Sequence, residues 1–241
     1  MTPVGTFSVL ALDGDNDTWS VTLFTSSGDA PLKALREPEH FTQVVRACPM
    51  HAHWLDGRPI TGVLPIAGVM DCYRRFLVDG VPVVTGFAAV GDAWACTNPS
   101  AGCGLSVGLI YAQLLRHAIR EHLDNPAAFA SAWDAATEQT VTPFYRNQIA
   151  ADRARVAEIN ALRNGLQPPP PDPKLARVLA AVASDPTVFR GVIETVHCLA
   201  LPQNVFRRPD IREGIETADP TGPPTPTPGP DREQLLKLLA S

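Results

Sequence analysis

Over the first part of the chain, apolar positions recur with a period of two. Phe7, Val9 and Ala11 alternate with Ser8, Leu10 and Leu12, and Trp19, Val21 and Leu23 alternate with Ser20, Thr22 and Phe24. Between them lies Asp13-Gly14-Asp15-Asn16-Asp17, whose residues favour turns through left-handed backbone or local side-chain hydrogen bonds. The pattern predicts a β-hairpin with a longish loop. Residues 38–48 read as a short helix with Phe41, Val44 and Val45 on one face. Strand-like runs follow at 62–66, 73–78, 81–85 and 87–90. The last is apolar and buried in character, and it ends at Gly91-Asp92.

The period then changes to that of helices, punctuated by proline. Asn125-Pro126, Thr142-Pro143 and Asp185-Pro186 share one arrangement, a capping side chain followed by proline at the first helical position. The cap accepts from an orphan backbone N–H, and proline there forfeits no needed donor. Helices are therefore predicted near 103–123, 126–140, 143–164, 174–184 and 186–199, with Asn164-Gly165 as the stop of the third. Residues 168–171 are a polyproline linker and 219–230 a longer Pro-rich one. A small helix over 231–240 follows, capped by Asp231, with Leu235, Leu236, Leu238 and Leu239 on one side. The fold class predicted is α/β or α+β, with sheet first and a helical C-terminal region. Most of the 24 prolines are thereby explained as helix starts and linkers.

Composition narrows the partners. The 241 residues carry 20 Lys and Arg against 25 Asp and Glu, a formal charge of −5. That balance gives no basic footprint for nucleic acid. The mean hydropathy is −0.00, and no apolar run approaches the roughly 20 residues of a spanning helix, so no membrane span is expected. Five cysteines, an odd number without a CxxC pair, argue against a secreted disulfide framework. The N-terminus lacks a basic region followed by an apolar one. A reducing cytoplasm is the expected location.

The chemistry concentrates between residues 87 and 115. A buried strand is expected to end in Gly91-Asp92. Ten residues on come Gly102-Cys103-Gly104 and an apolar helix carrying Leu105, Leu109, Ala112, Leu115 and Ile119 at three- and four-residue spacing. Gly102-x-Gly104-x-x-x-Gly108 is not a dinucleotide fingerprint, because the Rossmann turn needs its first glycine directly after the strand. Another geometry fits better. A carboxylate at a strand end can accept from a sugar-alcohol chain. Two close glycines at a helix start expose bare backbone, where N–H groups carry partial positive charge. An electron-rich ring edge is stabilised at such a point.

Gly91-Asp92-Ala93, Pro99, Gly102 and Gly104 fit, in register, the GD-x(6)-P-x(2)-G-x-G element of FAD-dependent monooxygenases and reductases. The chain thus resembles the group of aromatic hydroxylases, squalene epoxidase-like enzymes, flavin halogenases and geranylgeranyl reductase-like proteins. The resemblance implies that Asp92 binds the ribityl chain of FAD. It also implies that the backbone around Gly102, Cys103 and Gly104 faces the pyrimidine edge and that Pro99 lies close to the isoalloxazine. Many members have GDAAH where this chain has Gly91-Asp92-Ala93-Trp94-Ala95, and Asn shortly after the last glycine where it has Leu105-Ser106. Upstream, Arg58-Pro59-Ile60, Tyr73-Arg74-Arg75-Phe76 and Asp79-Gly80-Val81-Pro82 look like the segment feeding the flavin strand in such reductases.

The family opens with a strand, GxGxxG and a helix that hold the ADP half of FAD. No GxGxxG occurs in these 241 residues. The chain is therefore expected to be the C-terminal portion of an FAD-dependent oxidoreductase or monooxygenase, with NAD(P)H as reductant and a small organic substrate, aromatic or isoprenoid, and by itself to bind FAD only in part or weakly. The alternative is a non-catalytic homologue or interaction subunit, pairing with a complementing nucleotide-binding chain or with a second copy of itself. The expected organisation is a substrate-sheet segment (1–86), a flavin-contacting strand, loop and helix (87–123), a helical region (124–218), a linker (219–230) and a terminal helix (231–241).

Other groups carry less. Cys48-Pro49-Met50-His51-Ala52-His53 offers three metal ligands in six residues, short of the four of a structural site, and reads as a surface loop. His117 and His122 do not converge on one helix face. Cys96 and Cys103 flank the flavin loop and read either as a redox pair or as packing thiols. Trp94 reads either as a stack on the flavin or as a core plug. Arg74 and Arg75 read either as an anion site or as a strand pair with one Arg outward.

Overall fold

A computed structural model describes residues 1–68, 70–170, 172–219 and 227–240. Strands are β1 (Thr2–Val4), β2 (Phe7–Asp13), β3 (Trp19–Thr25), β4 (Cys72–Tyr73), β5 (Leu77–Val78), β6 (Val81–Pro82) and β7 (Ala95–Cys96). Helices are α1 (Pro38–Arg46), α2 (Gly104–His122), α3 (Pro126–Thr140), α4 (Thr142–Arg163), α5 (Pro173–Ser184), α6 (Pro186–Val196), α7 (Pro202–Val205), α8 (Pro209–Thr217) and α9 (Arg232–Leu238). The chain is thus a mixed α and β fold with a helical C-terminal region, as the patterning predicts. It divides into two compact units, one of Met1–Gly68, Arg153–Pro170 and Pro223–Ser241, the other of Val69–Asp152 and Pro171–Gly222.

In the first unit β1, β2 and β3 form an antiparallel sheet in that order. The β2–β3 register runs from Phe7 opposite Thr25 to Asp13 opposite Trp19, so the predicted hairpin forms. Its loop turns because Asn16 and Asp17 adopt φ of 58° and 55°, which these residue types tolerate. One face of the sheet buries Val4, Phe7 and Val9 against Leu32, Leu35, Val44 and Cys48. Leu235 of α9 completes this core, and Leu238 and Leu239 pack on it. The helix starts at a capping box, in which Asp231 accepts from the Gln234 N–H and Gln234 reaches back to the Asp231 N–H. Arg232 then forks onto Asp29, with two N–H···O bonds of 2.8 Å, and Arg163 Nε lies 3.6 Å from the same carboxylate.

In the second unit β4 pairs antiparallel with β7, and β5 with β6 across Asp79-Gly80, both at positive φ as a two-residue hairpin turn requires. The core gathers Ala89, Trp94, Tyr111, Ala118, Phe129, Trp133 and Val141. Tyr73, Trp94, Tyr111 and Trp133 form a chain of rings with centroids 5.0, 5.5 and 5.9 Å apart, the first two contacts edge-on. Helix α2 packs on α3, while α5, α6 and α8 pack on one another. Proline opens α1, α3, α5, α6, α7 and α8, and the side chains of Asn125, Asp172 and Asp185 cap three of these.

Four expectations are corrected. Residues 62–66 form no strand, and Leu64 and Ile66 are 75% and 84% exposed; without a neighbouring backbone to pair with, an apolar run gains no ladder. The runs at 73–78 and 81–85 shorten to two-residue pairings. Residues 87–90 are extended but unladdered, with Ala89 buried and Phe87 and Val90 exposed. Thr142 does not cap α4. It lies inside the helix, and its hydroxyl donates to Glu138 because only Val141 separates α3 from α4. Of the 219–230 linker, 220–226 lie outside the described residues.

Candidate functional site

The segment from Gly91 to Gly104 is built in the second unit by short-range hydrogen bonds. Residues Gly91–Ala93 make a single 3-10 turn, in which Ala93 N–H donates to Val90 O and Trp94 N–H to Gly91 O. Gly91 has φ of 55°, so the turn needs the residue without a Cβ. The turn packs against α2. Arg74 Nη1 donates to the carbonyls of Asp92 and Ala93 at 3.1 and 3.3 Å and so holds the turn from outside. Its neighbour Arg75 pairs with Asp134 through two hydrogen bonds. Arg75 is thus paired with a carboxylate, while the exposed Arg74 is held by backbone carbonyls alone.

Asn98 pins the middle of the loop. Its N–H donates to Asp71 Oδ1 at 3.0 Å, its Nδ2 to Asp152 Oδ1 at 3.1 Å, and its Oδ1 accepts from Ser100 N–H at 3.1 Å. Pro99–Ala101 then form a 3-10 turn that ends at Gly102, φ 69°. Replacing Asn98 with Ala removes a cap and a charge-assisted bond. It is expected to ease loop opening by about 2 kcal/mol, seen as roughly 30-fold faster hydrogen exchange at the Gly102 amide, which donates to Pro99 O.

Helix α2 starts at once after this turn. Its N-cap, Cys103, offers no side-chain acceptor, unlike Asn125, Asp172, Asp185 and Asp231 at other helix starts. The amides of Gly104, Leu105 and Ser106 have no intrahelical acceptor, as in any first turn, and no side chain caps them. A Cβ built on Gly91, Gly102 or Gly104 would meet nothing within 4 Å, so bare backbone faces open space at all three. Asp92 is exposed, ten residues before Gly102, with β7 between them. The six residues singled out in the sequence, Gly91, Asp92, Pro99, Gly102, Cys103 and Gly104, therefore lie along one continuous turn, loop and helix start.

Trp94 is the core plug of the two readings. It is 4% exposed and set edge-on between Tyr73 and Tyr111. Of the apolar stripe expected of α2, only Leu115 packs on the core: Leu105, Leu109, Ala112 and Ile119 are exposed, and the buried side is Tyr111 and Ala118 with Val107, Ile110, Leu114 and Leu115. The helix is apolar on both sides, so periodicity could not say which side packs.

Cys96 and Cys103 are not partners of each other. Cys96 lies directly across from Cys72 in the β4–β7 pair. Cys103 Sγ donates to Val196 O at 3.4 Å, two residues before Cys198. Cys198 sits just past α6 at φ 57°, in a Schellman turn closed by Leu199 N–H to Glu194 O and Cys198 N–H to Thr195 O. Glycine is the usual occupant of that position, and a side chain there costs about 1 kcal/mol. Burial and the neighbouring Cys103 push the Cys198 thiol up to about 12. The sequence separations of 24 and 95 residues hid both pairs.

In the first unit Cys48 is buried, its Sγ donates to Val44 O at 3.3 Å, and burial pushes its thiol up to about 11. His51 Nε2 bonds Thr2 Oγ1, while the His53 ring lies against Trp54. Among the described residues no group of three or more His, Cys, Asp or Glu is placed to hold a metal, and no helix is long and apolar enough to cross a membrane. Compared with protein-family models, with curated proteins and with solved structures, the chain matches none.

Proposed function

We propose that this chain is the flavin-facing, C-terminal portion of an FAD-dependent oxidoreductase or monooxygenase acting on a small organic substrate, aromatic or isoprenoid, with NAD(P)H as reductant. The observation that carries the reading is the start of α2, a 19-residue helix without a side-chain cap, entered through glycines whose backbone faces open space. Flavin, when bound, supplies hydride or single-electron transfer. The chain's own residues bind and orient. The Asp92 carboxylate accepts from hydroxyls of a ribityl chain. The amides of Gly104, Leu105 and Ser106, with the positive end of the helix dipole, hold negative charge at the ring edge. Arg74 and Asn98 position the two turns that carry these groups. The ADP half would be held by a strand–GxGxxG–helix element outside these 241 residues. A reducing cytoplasm suits the five free thiols.

The second reading is a non-catalytic subunit that pairs with a nucleotide-binding chain or with a second copy. It is favoured by the apolar side chains left in solvent in the second unit, among them Val81, Val83, Phe87, Leu105 and Leu109. Ultraviolet–visible titration with FAD separates the two. Saturable perturbation of the flavin band supports the first, and an unperturbed spectrum supports the second.

A further inference from the structure

The mouth of the candidate loop holds a thiol pair that the flavin reading does not use. Cys103 is the N-cap of α2, and its Sγ reaches 3.4 Å from the carbonyl of Val196, two residues before Cys198. The Cys103 sulfur therefore sits at the helix-end turn that carries Cys198, and the two thiols are electrostatic neighbours. Cys103 is half-buried, while Cys198 is buried. Cys198 also occupies a left-handed position at a helix end, φ 57°, where glycine fits without strain. A side chain kept at a strained position is an observation that points to a use for that side chain.

We propose that Cys103 and Cys198 form a dithiol redox site that closes to a disulfide on exchange with a small-molecule disulfide, clamping the start of α2 to the end of α6. In the first step the Cys103 thiolate attacks one sulfur of the small disulfide, its S–S bond breaks, and one thiol leaves. In the second, Cys198 sulfur attacks Cys103 Sγ in the mixed disulfide, and the second thiol leaves. The two cysteine protons end on the two released thiols. The protein pair loses two electrons, and the small disulfide gains them. The clamp fixes the glycine-lined helix start, so the pair's redox state sets how freely that start can open.

The test needs no flavin. The 241-residue protein is held in oxidised glutathione, quenched in acid, alkylated, digested and mapped by mass spectrometry. The expected product is a Cys103–Cys198 peptide pair lighter by two hydrogens. Cys198→Gly, which suits the turn, is expected to trap a glutathione adduct on Cys103, and Cys103→Ser to abolish the link. Recovery of Cys103 in the wild type only as free thiol, only as a glutathione adduct, or linked to Cys72 or Cys96 would overturn the proposal. Because the wild-type map decides it, a variant that fails to fold does not rescue it.

Discussion

Asp92→Ala is expected to weaken flavin binding about 10- to 100-fold. A hydrogen bond to a charged acceptor contributes about 1.5–3 kcal/mol, and each 1.4 kcal/mol is tenfold in affinity. Asp92 is exposed, on a 3-10 turn whose carbonyls Arg74 holds, so truncating it removes a ligand contact and leaves the turn's own bonds in place. The loss should therefore appear in affinity, measured by flavin fluorescence titration, without a change in thermal midpoint. Asp92→Asn keeps one acceptor oxygen and should lose less. Equal affinity of wild type and Asp92→Ala would remove Asp92 from the site.

Arg232→Ala is expected to destabilise the first unit by about 3 kcal/mol. The Asp29 side chain is 0% exposed, and Arg232 supplies its two shortest hydrogen bonds. Among the described residues, removing that guanidinium leaves the buried carboxylate with Arg163 as its remaining cation, Nε 3.6 Å away. The figure sits at the low end of the range for breaking a buried pair because that second cation remains. Hydrogen exchange of the β2 amides should quicken about 100-fold. Arg232→Lys retains charge without the fork and should fall between. Unchanged exchange would show that the pair holds nothing.

Local chemistry made the helical part of the fold legible. Pro after Asn125 and Asp185 marks α3 and α6, and Gln234 three residues after Asp231 marks the capping box of α9. Asp172-Pro173 carries the same signal and opens α5, with Asp172 accepting from the Lys174 N–H. The hairpin β2–β3 was legible because its alternation and its turn residues agree. The strand expected at 87–90 does not form, because apolar content there measures burial on one side only. A ladder needs a neighbour, which no local pattern reports. The candidate site was half legible. Turn and helix-start residues carry their spacing in the chain, so Gly91, Asp92, Pro99, Gly102, Cys103 and Gly104 could be singled out. The groups that support them, Arg74, Asn98, Asp71 and Asp152, and the partners of Cys96 and Cys103, come together only through tertiary contact.

Residues 91–104 are proposed to face the flavin end of FAD and not its nucleotide end. This orientation is tested most directly by titrating the protein with riboflavin, FAD and ADP and following the flavin band. Saturable binding of riboflavin and of FAD at one site is expected, with FAD competing for riboflavin, ADP failing to compete, and Asp92→Ala weakening both flavins alike. Binding of FAD that ADP displaces and riboflavin does not, or a flavin spectrum that the protein leaves unchanged, would contradict it.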